Sequence, residues 1–100
     1  MQSPVLTPKN IELLKEKAKE YKMKLLAIFG SYAREEQKEE SDLDILVDFE
    51  ESPSLLSFIR MENELSDLLG VKVDLVTKNS LHPILRKTVL KEMRIVYGEV

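Results

Sequence analysis

Apolar and acidic side chains alternate over eight residues in the middle of the chain. A period of two is typical of a β-strand, because successive side chains of a strand point to opposite faces. We therefore predict a strand over 43–49 with one apolar face and one face that carries carboxylates. The apolar face is formed by Leu43, Ile45, Val47 and Phe49. The positions between them are Asp42, Asp44, Leu46 and Asp48.

Three further segments are predicted to be strands. Residues 25–29 are an uninterrupted apolar run, which is typical of a strand that is buried on both faces. Residues 71–76 form a second, mainly apolar segment, which carries two charged residues, Lys72 and Asp74. Residues 94–97 are predicted to form a short edge strand.

Signals for helix ends separate these strands. Thr7 and Pro8 mark a start, because Thr caps a helix and Pro fits its first position. Ser54 is predicted to cap a second helix, which Gly70 ends. We predict helices over about 8–21, 54–69 and 80–91, and a short helix of about two turns that Ser31 caps.

The order of these elements predicts the fold class. Helices and strands alternate along the chain, which favours an α+β, two-layer fold. We expect a small mixed β-sheet with the helices packed mainly on one face. No internal repeat or Pro/Gly/Ser-rich linker divides the sequence, so residues 1–100 are predicted to form a single domain.

Composition excludes several classes of protein. The longest apolar run is far too short to span a membrane, and no signal peptide is recognisable, so we expect a cytoplasmic protein without membrane contact. The absence of Cys excludes disulfides and thiolate metal sites. With 15 Lys and Arg against 18 Asp and Glu, the net charge is −3, which argues against direct binding to nucleic acid.

Three carboxylates indicate a metal site. Asp42 and Asp44 are two residues apart on a predicted strand, so both side chains project from one face, with Cα atoms roughly 6.5–7 Å apart. Asp74 would be costly if it were buried without a partner. Such carboxylates suit hard cations such as Mg²⁺, and two of them can hold the paired ions of phosphoryl-transfer sites. The alternative is that these carboxylates are ordinary solvated surface residues. The combination of three carboxylates favours the metal site.

Gly30 and Ser31 lie where a buried strand is predicted to give way to a helix. Helix N-termini bind phosphates through free N–H groups, and Gly allows a ligand to approach the backbone closely. Arg34 follows one turn later and could pair with phosphate oxygens. Each of these features is common by itself, and an ordinary turn with a surface Arg is the alternative.

Together these residues resemble a known family. The pattern Gly-Ser-x-Ala-Arg, six residues, Ser-Asp-x-Asp is similar to that of the minimal nucleotidyltransferases of the DNA polymerase β superfamily. The resemblance extends over the whole chain in the order of its elements. The matching residues are Gly30, Ser31, Ala33, Arg34, Ser41, Asp42 and Asp44, with Asp74 in the position of the family's third carboxylate.

The resemblance implies a reaction and a partner. A nucleoside monophosphate, expected to be AMP from ATP, would pass to a hydroxyl group with loss of pyrophosphate. Asp42, Asp44 and Asp74 would be the catalytic metal ligands for two Mg²⁺ ions. Gly30, Ser31, Arg34 and Ser41 would form the nucleotide site. The small size is similar to that of MntA-type antitoxins, which modify a tyrosine of a HEPN-domain toxin, so a protein adenylyltransferase is expected.

One departure from the family pattern leaves an alternative open. The family usually has Gly after the Arg, whereas this chain has Glu35, whose carboxylate would repel a triphosphate unless it points to solvent. The alternative is a catalytically weak or inactive antitoxin that neutralises its partner by binding alone. The second helix also carries many apolar side chains, which we expect to belong mainly to the core, with an interface to a partner as the alternative: Leu55, Leu56, Phe58, Ile59 and Met61.

Overall fold

The computed structural model describes residues 5–100. A short 3₁₀ helix spans Lys78–Ser80. No helix of residues 5–100 has the length and apolar character needed to cross a membrane. The elements run in the order α1 (Pro8–Glu20), β1 (Met23–Phe29), β2 (Leu43–Phe49), α2 (Leu55–Leu69), β3 (Val73–Thr77), α3 (Pro83–Glu92) and β4 (Arg94–Gly98).

Three predicted helix ends are formed by the expected residues. The Thr7 hydroxyl accepts a hydrogen bond from the Asn10 N–H at 3.1 Å, and Pro8 is the first residue of α1. The Ser54 hydroxyl likewise caps α2, which ends at Gly70 in a left-handed conformation with φ of 69°. These side-chain acceptors satisfy N–H groups that have no partner within the helix.

The start of the last helix was predicted too early. Residues 78–80 form a 3₁₀ turn, and α3 begins at Pro83, whose fixed φ suits the first helical position, with the His82 side chain accepting a hydrogen bond from the Ile84 N–H.

The strands form one mixed sheet in the order β3-β2-β1-β4. β1 pairs antiparallel with both β2 and β4, whereas β2 and β3 are parallel. β2 has the predicted bounds. β1 begins two residues earlier than predicted, and β3 occupies 73–77 rather than 71–76, because residues 71–72 complete the turn that leaves α2.

Two of the three helices cover one face of the sheet, as expected. Leu14 and Ala18 of α1 and Leu65 and Leu69 of α2 pack with the apolar face of β2 in the larger core. The other face has a smaller core, in which Leu25, Ala27, Leu46 and Leu81 pack beside Val89 and Leu90 of α3. Because side chains alternate along β2, Asp44 lies on the same face as Leu46.

The start of α2 is more exposed than predicted. Phe58 and Met61 pack against the larger core, but Leu55, Leu56 and Ile59 are 75%, 60% and 42% exposed. The expectation that these side chains belong mainly to the core is therefore wrong for three of the five. The three residues lie in the first five positions of α2.

Candidate active site

Asp44 and Asp74 lie side by side on neighbouring strands. They are register partners in the parallel pair of β2 and β3, so their side chains project from the same face of the sheet. Asp44 is half-buried and Asp74 is exposed. The fold thus brings together two carboxylates that are 30 positions apart in the sequence, as the metal-site prediction requires.

The electrostatics of Asp44 reflect this arrangement. Burial raises the pKa of the Asp44 carboxyl above its ordinary value, and the negative charges of Asp74 and Asp42 raise the pKa further. The positive charge of Arg34 opposes this shift. A carboxylate among like charges at the end of a sheet is a common arrangement at sites that bind a cation or hold a proton.

Asp42 lies just before β2 and is exposed. Its carboxylate is 3.9 Å from the Lys72 ammonium group, at the distance limit of an ion pair. The parallel register that aligns Asp44 with Asp74 also brings Lys72 beside Asp42, because each lies two residues earlier in the chain, immediately before its strand. Lys72 was not predicted as a site residue, although this matching spacing in the sequence was a signal for it.

Gly30 lies directly against Asp44. Phe29 and Asp44 are register partners, so the residue after Phe29 comes next to the Asp44 side chain. Gly30 has a φ of +73°, and a Cβ added there would lie 2.2 Å from Asp44 Oδ2. Any other residue would have to displace the Asp44 carboxylate and adopt a strained left-handed conformation, so the contact strongly favours Gly.

Residues 31–34 form a single helical turn rather than the predicted helix of two turns. The N–H of Glu36 donates to the carbonyl of Ser31 at 2.8 Å. The N–H of Glu35 donates to the carbonyl of Tyr32 at 3.3 Å, and Glu35 has a φ of +58°. This pair of bonds is a Schellman motif, which ends a helix at a left-handed residue. The chain must reverse here to enter antiparallel β2, so the helix stops after one turn.

The start of this turn keeps the donors that a longer helix would offer. Among residues 5–100, no hydrogen bond uses the N–H groups of residues 31–33. Tyr32 and Ala33 are buried, which anchors the turn in the core. The turn can therefore present backbone donors beside Asp44 without a helix of ordinary length.

Two ion pairs connect this turn to the C-terminal part of the chain. Arg34 contacts Glu36 at 3.1 Å and Glu92 of α3 at 3.5 Å. Glu35 contacts Arg94 of β4 at 3.2 Å, so its carboxylate is directed to a cation. Glu35 thus takes the left-handed position where the family usually has Gly, and its charge is paired.

Ser41 shapes the loop that leads to the acidic residues. Its hydroxyl accepts a hydrogen bond from the Lys38 N–H at 2.8 Å, and its own N–H donates to the Lys38 carbonyl at 2.9 Å. These two bonds close a tight turn immediately before Asp42. In this arrangement both Ser41 and Arg34 contact protein groups.

The acidic residues offer oxygen donors of the kind that Mg²⁺ prefers. Within residues 5–100, no three acidic or histidine side chains converge closely enough to form a complete metal cage. Mg²⁺ is usually held by one or two carboxylates together with waters and substrate phosphates. The pair of Asp44 and Asp74, with Asp42 beside it, therefore fits a Mg²⁺ ion that binds together with a nucleotide.

A cavity of about 480 Å³ lies elsewhere, at the other end of β2. Its lining includes Asp48, Phe49 and Phe58, together with Thr77 and Asn79. Asp48 is four residues from Asp44, roughly 13 Å along a strand, so this cavity is separate from the paired carboxylates. The candidate site is an open, acidic end of the sheet rather than a deep pocket.

Comparison with known proteins agrees with this geometry. The family model described as a nucleotidyltransferase domain matches residues 11–96. MJ1217 of Methanocaldococcus jannaschii, which is assigned to the protein adenylyltransferases, is 59% identical over 86 residues and covers 85% of each chain. Protein adenylyltransferase MntA of Thermococcus cleftensis is 54% identical over 79 residues, which are 79% of this chain and 80% of that relative.

Solved structures share the fold. A minimal nucleotidyltransferase superposes with a TM-score of 0.77 at 41% identity and covers 86% of this chain and 88% of that one. The structure of a tri-AMPylated HEPN toxin of Shewanella oneidensis with its MNT antitoxin gives a TM-score of 0.72 at 22% identity, over 91% and 71% of the two chains. The fold and the carboxylate site define a nucleotidyl-transferring enzyme. This chain belongs to the nucleotidyltransferase family, in the group of minimal nucleotidyltransferases.

Proposed function

We propose that this protein is a Mg²⁺-dependent protein adenylyltransferase that transfers AMP from ATP to a tyrosine hydroxyl of a HEPN-domain partner and so acts as an antitoxin. One observation carries the proposal, namely the alignment of Asp44 with Asp74 beside the close contact of Gly30. The names of the relatives support the acceptor class, because several are named as protein adenylyltransferases. The toxin–antitoxin structure that shares the fold supports a HEPN-domain partner.

At the α-phosphorus of ATP, one bond forms and one bond breaks. The acceptor hydroxyl oxygen attacks the α-phosphorus of ATP, and the bond from that phosphorus to the β-bridging oxygen breaks, which releases pyrophosphate. The hydroxyl proton passes to the Asp74 carboxylate, which must be ionised to accept it. Asp74 is suited to this role because it is exposed at the end of the sheet, where an acceptor on another molecule has access.

Asp42, Asp44 and Asp74 are the residues that would hold two Mg²⁺ ions. When bound, Mg²⁺ supplies positive charge that stabilises the attacking and leaving oxygens. The contribution of this chain is to supply the carboxylates together, and to do so it must overcome their mutual repulsion. The Lys72 ammonium group beside Asp42 offsets part of that repulsion.

The turn after β1 is the proposed site for the β- and γ-phosphates. Gly30 leaves room beside Asp44. The N–H groups of Ser31 and the next two residues make no hydrogen bond within residues 5–100, so they are available to a phosphate. Arg34 steadies this turn through Glu36 and Glu92. Ser41 serves the nucleotide site indirectly, because it shapes the loop before Asp42.

The acceptor belongs to another molecule in this proposal. Exposed apolar side chains at the start of α2, namely Leu55, Leu56 and Ile59, provide a surface of the kind that binds proteins. The single-domain organisation over 1–100 and the cytoplasmic location stay predictions. We propose neither membrane nor direct nucleic-acid binding for this chain.

The alternative of an antitoxin that acts by contact alone loses its main support. That alternative depended on repulsion between Glu35 and the triphosphate, but the Glu35 carboxylate pairs with Arg94. A protein that acts only by contact also has no need for aligned carboxylates. We therefore favour the enzyme.

The two alternatives differ in what happens to the partner. The test is intact-mass and peptide mass spectrometry of a HEPN-domain partner after incubation with ATP, Mg²⁺ and this protein, compared with the Asp42→Asn/Asp44→Asn double variant. We expect AMP on a partner tyrosine with the wild type and none with the double variant, although the complex still forms. An unmodified partner in a stable, inhibited complex would instead support the contact-only antitoxin.

A further inference from the structure

β3, the strand that carries Asp74, is an edge strand. Its only strand neighbour among residues 5–100 is β2, so its outer edge is not paired with another strand. An edge strand presents backbone N–H groups that need partners and is easily displaced. Asp74 also lies next to Asp44, and like charges side by side push the two strands apart.

Side chains of α2 bind the outer edge of β3 on both sides of Asp74. The N–H of Val73 donates to the Ser66 hydroxyl oxygen at 2.9 Å. The N–H of Leu75 donates to the Glu62 carboxylate at 2.9 Å. The residues immediately before and after Asp74 are therefore both anchored to the helix.

The two acceptors act as a unit. Glu62 and Ser66 are four residues apart, on the same side of α2. The Ser66 hydroxyl donates to the Glu62 backbone carbonyl at 2.8 Å, which fixes its oxygen for the bond from Val73. Two bonds at alternate residues of β3 define both its position and its register.

We propose that Glu62 and Ser66 are positioning residues that hold β3 so that Asp74 stays aligned with Asp44. This inference rests on the proposed function for its catalytic consequence, but not for its geometric content. Within residues 5–100, neither side chain forms a hydrogen bond or ion pair with the three aspartates of the proposed site. Each acts through the backbone of the strand, in the way that outer partners orient the ligands of metal sites.

The test compares variants that remove or keep the acceptor. Glu62→Met removes the acceptor but keeps an unbranched side chain that favours helix, whereas Glu62→Gln keeps an amide oxygen that can accept from Leu75. Ser66→Ala removes the other acceptor. Asp67→Met is the matched control, because Asp67 is an exposed carboxylate of the same helix.

Three measurements are made on each variant: AMP transfer to the HEPN-domain partner, Mn²⁺ affinity in the presence of a non-hydrolysable ATP analogue, and NMR amide exchange of Val73 and Leu75. We expect Glu62→Met to lower kcat and Mn²⁺ affinity by about tenfold or more, with a small change in the KM for ATP. Exchange at Leu75 should become faster. Glu62→Gln should restore most of each loss, and Asp67→Met should resemble the wild type.

Transfer and Mn²⁺ affinity of Glu62→Met equal to those of the wild type would overturn the proposal. Equal losses in Glu62→Met and Asp67→Met would overturn it too, because the effect would then be a general one of removing charge from α2. If Glu62→Met does not fold, Ser66→Ala decides the same question. If the wild type transfers no AMP, the proposed function fails, while Mn²⁺ affinity and amide exchange still decide whether these residues position Asp74.

Discussion

Gly30 contacts Asp44 so closely that there is no room for a side chain between them: a Cβ at position 30 would lie 2.2 Å from Asp44 Oδ2. Gly30 belongs to the turn after β1, and Asp44 belongs to the neighbouring strand. The Gly-Ser and Asp-x-Asp parts of the sequence pattern are therefore two sides of one contact. This contact explains why the pattern pairs a Gly with a carboxylate on the next strand.

Gly30→Ala should lower AMP transfer by at least about tenfold, because the new methyl group must displace the Asp44 carboxylate from its place beside Asp74. The left-handed φ of +73° adds roughly 1–2 kcal/mol of backbone strain. Transfer rate and Tm are the measurements. Gly70→Ala is the matched control, because Gly70 has a φ of +69° and no atom within 4 Å of an added Cβ. Gly70→Ala should lose stability but keep activity, and equal loss of activity in both variants would contradict the contact.

Asp74→Asn should lower AMP transfer by at least about tenfold without unfolding the protein. Asn keeps the size of the side chain but neither accepts a proton nor supplies a negative ligand. The measurement is the initial rate of transfer together with the circular dichroism of the variant. Asp48→Asn is the control, since Asp48 lies on the same face of β2, further along the strand. A rate equal to that of the wild type in Asp74→Asn would remove Asp74 from the proposed site.

Asp44→Asn should stabilise the metal-free protein while it abolishes transfer. The folded state raises the pKa of Asp44, so the ionised carboxylate destabilises the fold at neutral pH and protonation relieves the repulsion. Because solvent screens this half-exposed group, we expect a gain of less than about 1 kcal/mol in the free energy of unfolding at pH 7, and no gain at low pH, where the wild-type carboxyl is also neutral. Chemical denaturation at both pH values measures this. A loss of stability at pH 7 would mean that Asp44 is a stabilising charge.

Glu35→Gly should keep both activity and fold. Gly adopts the left-handed conformation of Glu35 at no steric cost, which offsets the loss of an exposed ion pair with Arg94 worth about 0.2–1 kcal/mol. Transfer within about twofold of the wild type is expected, because the paired carboxylate does not reach the nucleotide. A large increase in transfer by Glu35→Gly would show that the Glu35 carboxylate repels ATP in solution.

The contact between α1 and α2 should weaken in acid. Hydrogen bonds from Lys17 and Tyr21 lower the pKa of Glu64, so this carboxylate stabilises the fold above its unfolded pKa of about 4.3 and the stabilisation is lost as the pH falls through the folded value. Glu64→Gln should be less stable than the wild type at pH 7 by at most about 1 kcal/mol, since the group is exposed. The difference in Tm should shrink as the pH falls below the unfolded pKa and vanish once the carboxyl of the folded protein is protonated. A difference that is the same at every pH would exclude this cause.

The sequence was most informative where one local rule decides the structure. The alternation in 43–49 predicted β2 with its observed bounds, and Thr7, Ser54 and Gly70 act at the helix ends as predicted. The helix after Ser31 was predicted too long, because Glu35 ends it in a left-handed conformation. A Glu rarely adopts that conformation, so its residue type did not indicate a helix end. Position 35 could be identified only from the usual Gly of the family.

Contacts between distant segments were harder to predict. The alignment of Asp44 with Asp74 depends on parallel pairing, which the order of the elements permits but does not fix in register. Glu62 looked like an ordinary polar residue of an amphipathic helix, and its bond to Leu75 depends on how α2 lies along the edge of the sheet. The exposure of Leu55 likewise depends on the tertiary packing of α2, which the apolar pattern of the helix does not fix.

In the proposed function, this site transfers the AMP moiety of ATP, which contains the α-phosphorus, to a partner protein. The most direct measurement uses α-³²P-ATP and γ-³²P-ATP in parallel, with Mg²⁺, the HEPN-domain partner and either wild-type protein or the Asp42→Asn/Asp44→Asn variant. We predict that the partner acquires label from α-³²P-ATP only, and that the variant transfers none. Label from γ-³²P-ATP on the partner would mean a kinase and would contradict the account, as would undiminished α-label transfer by the variant.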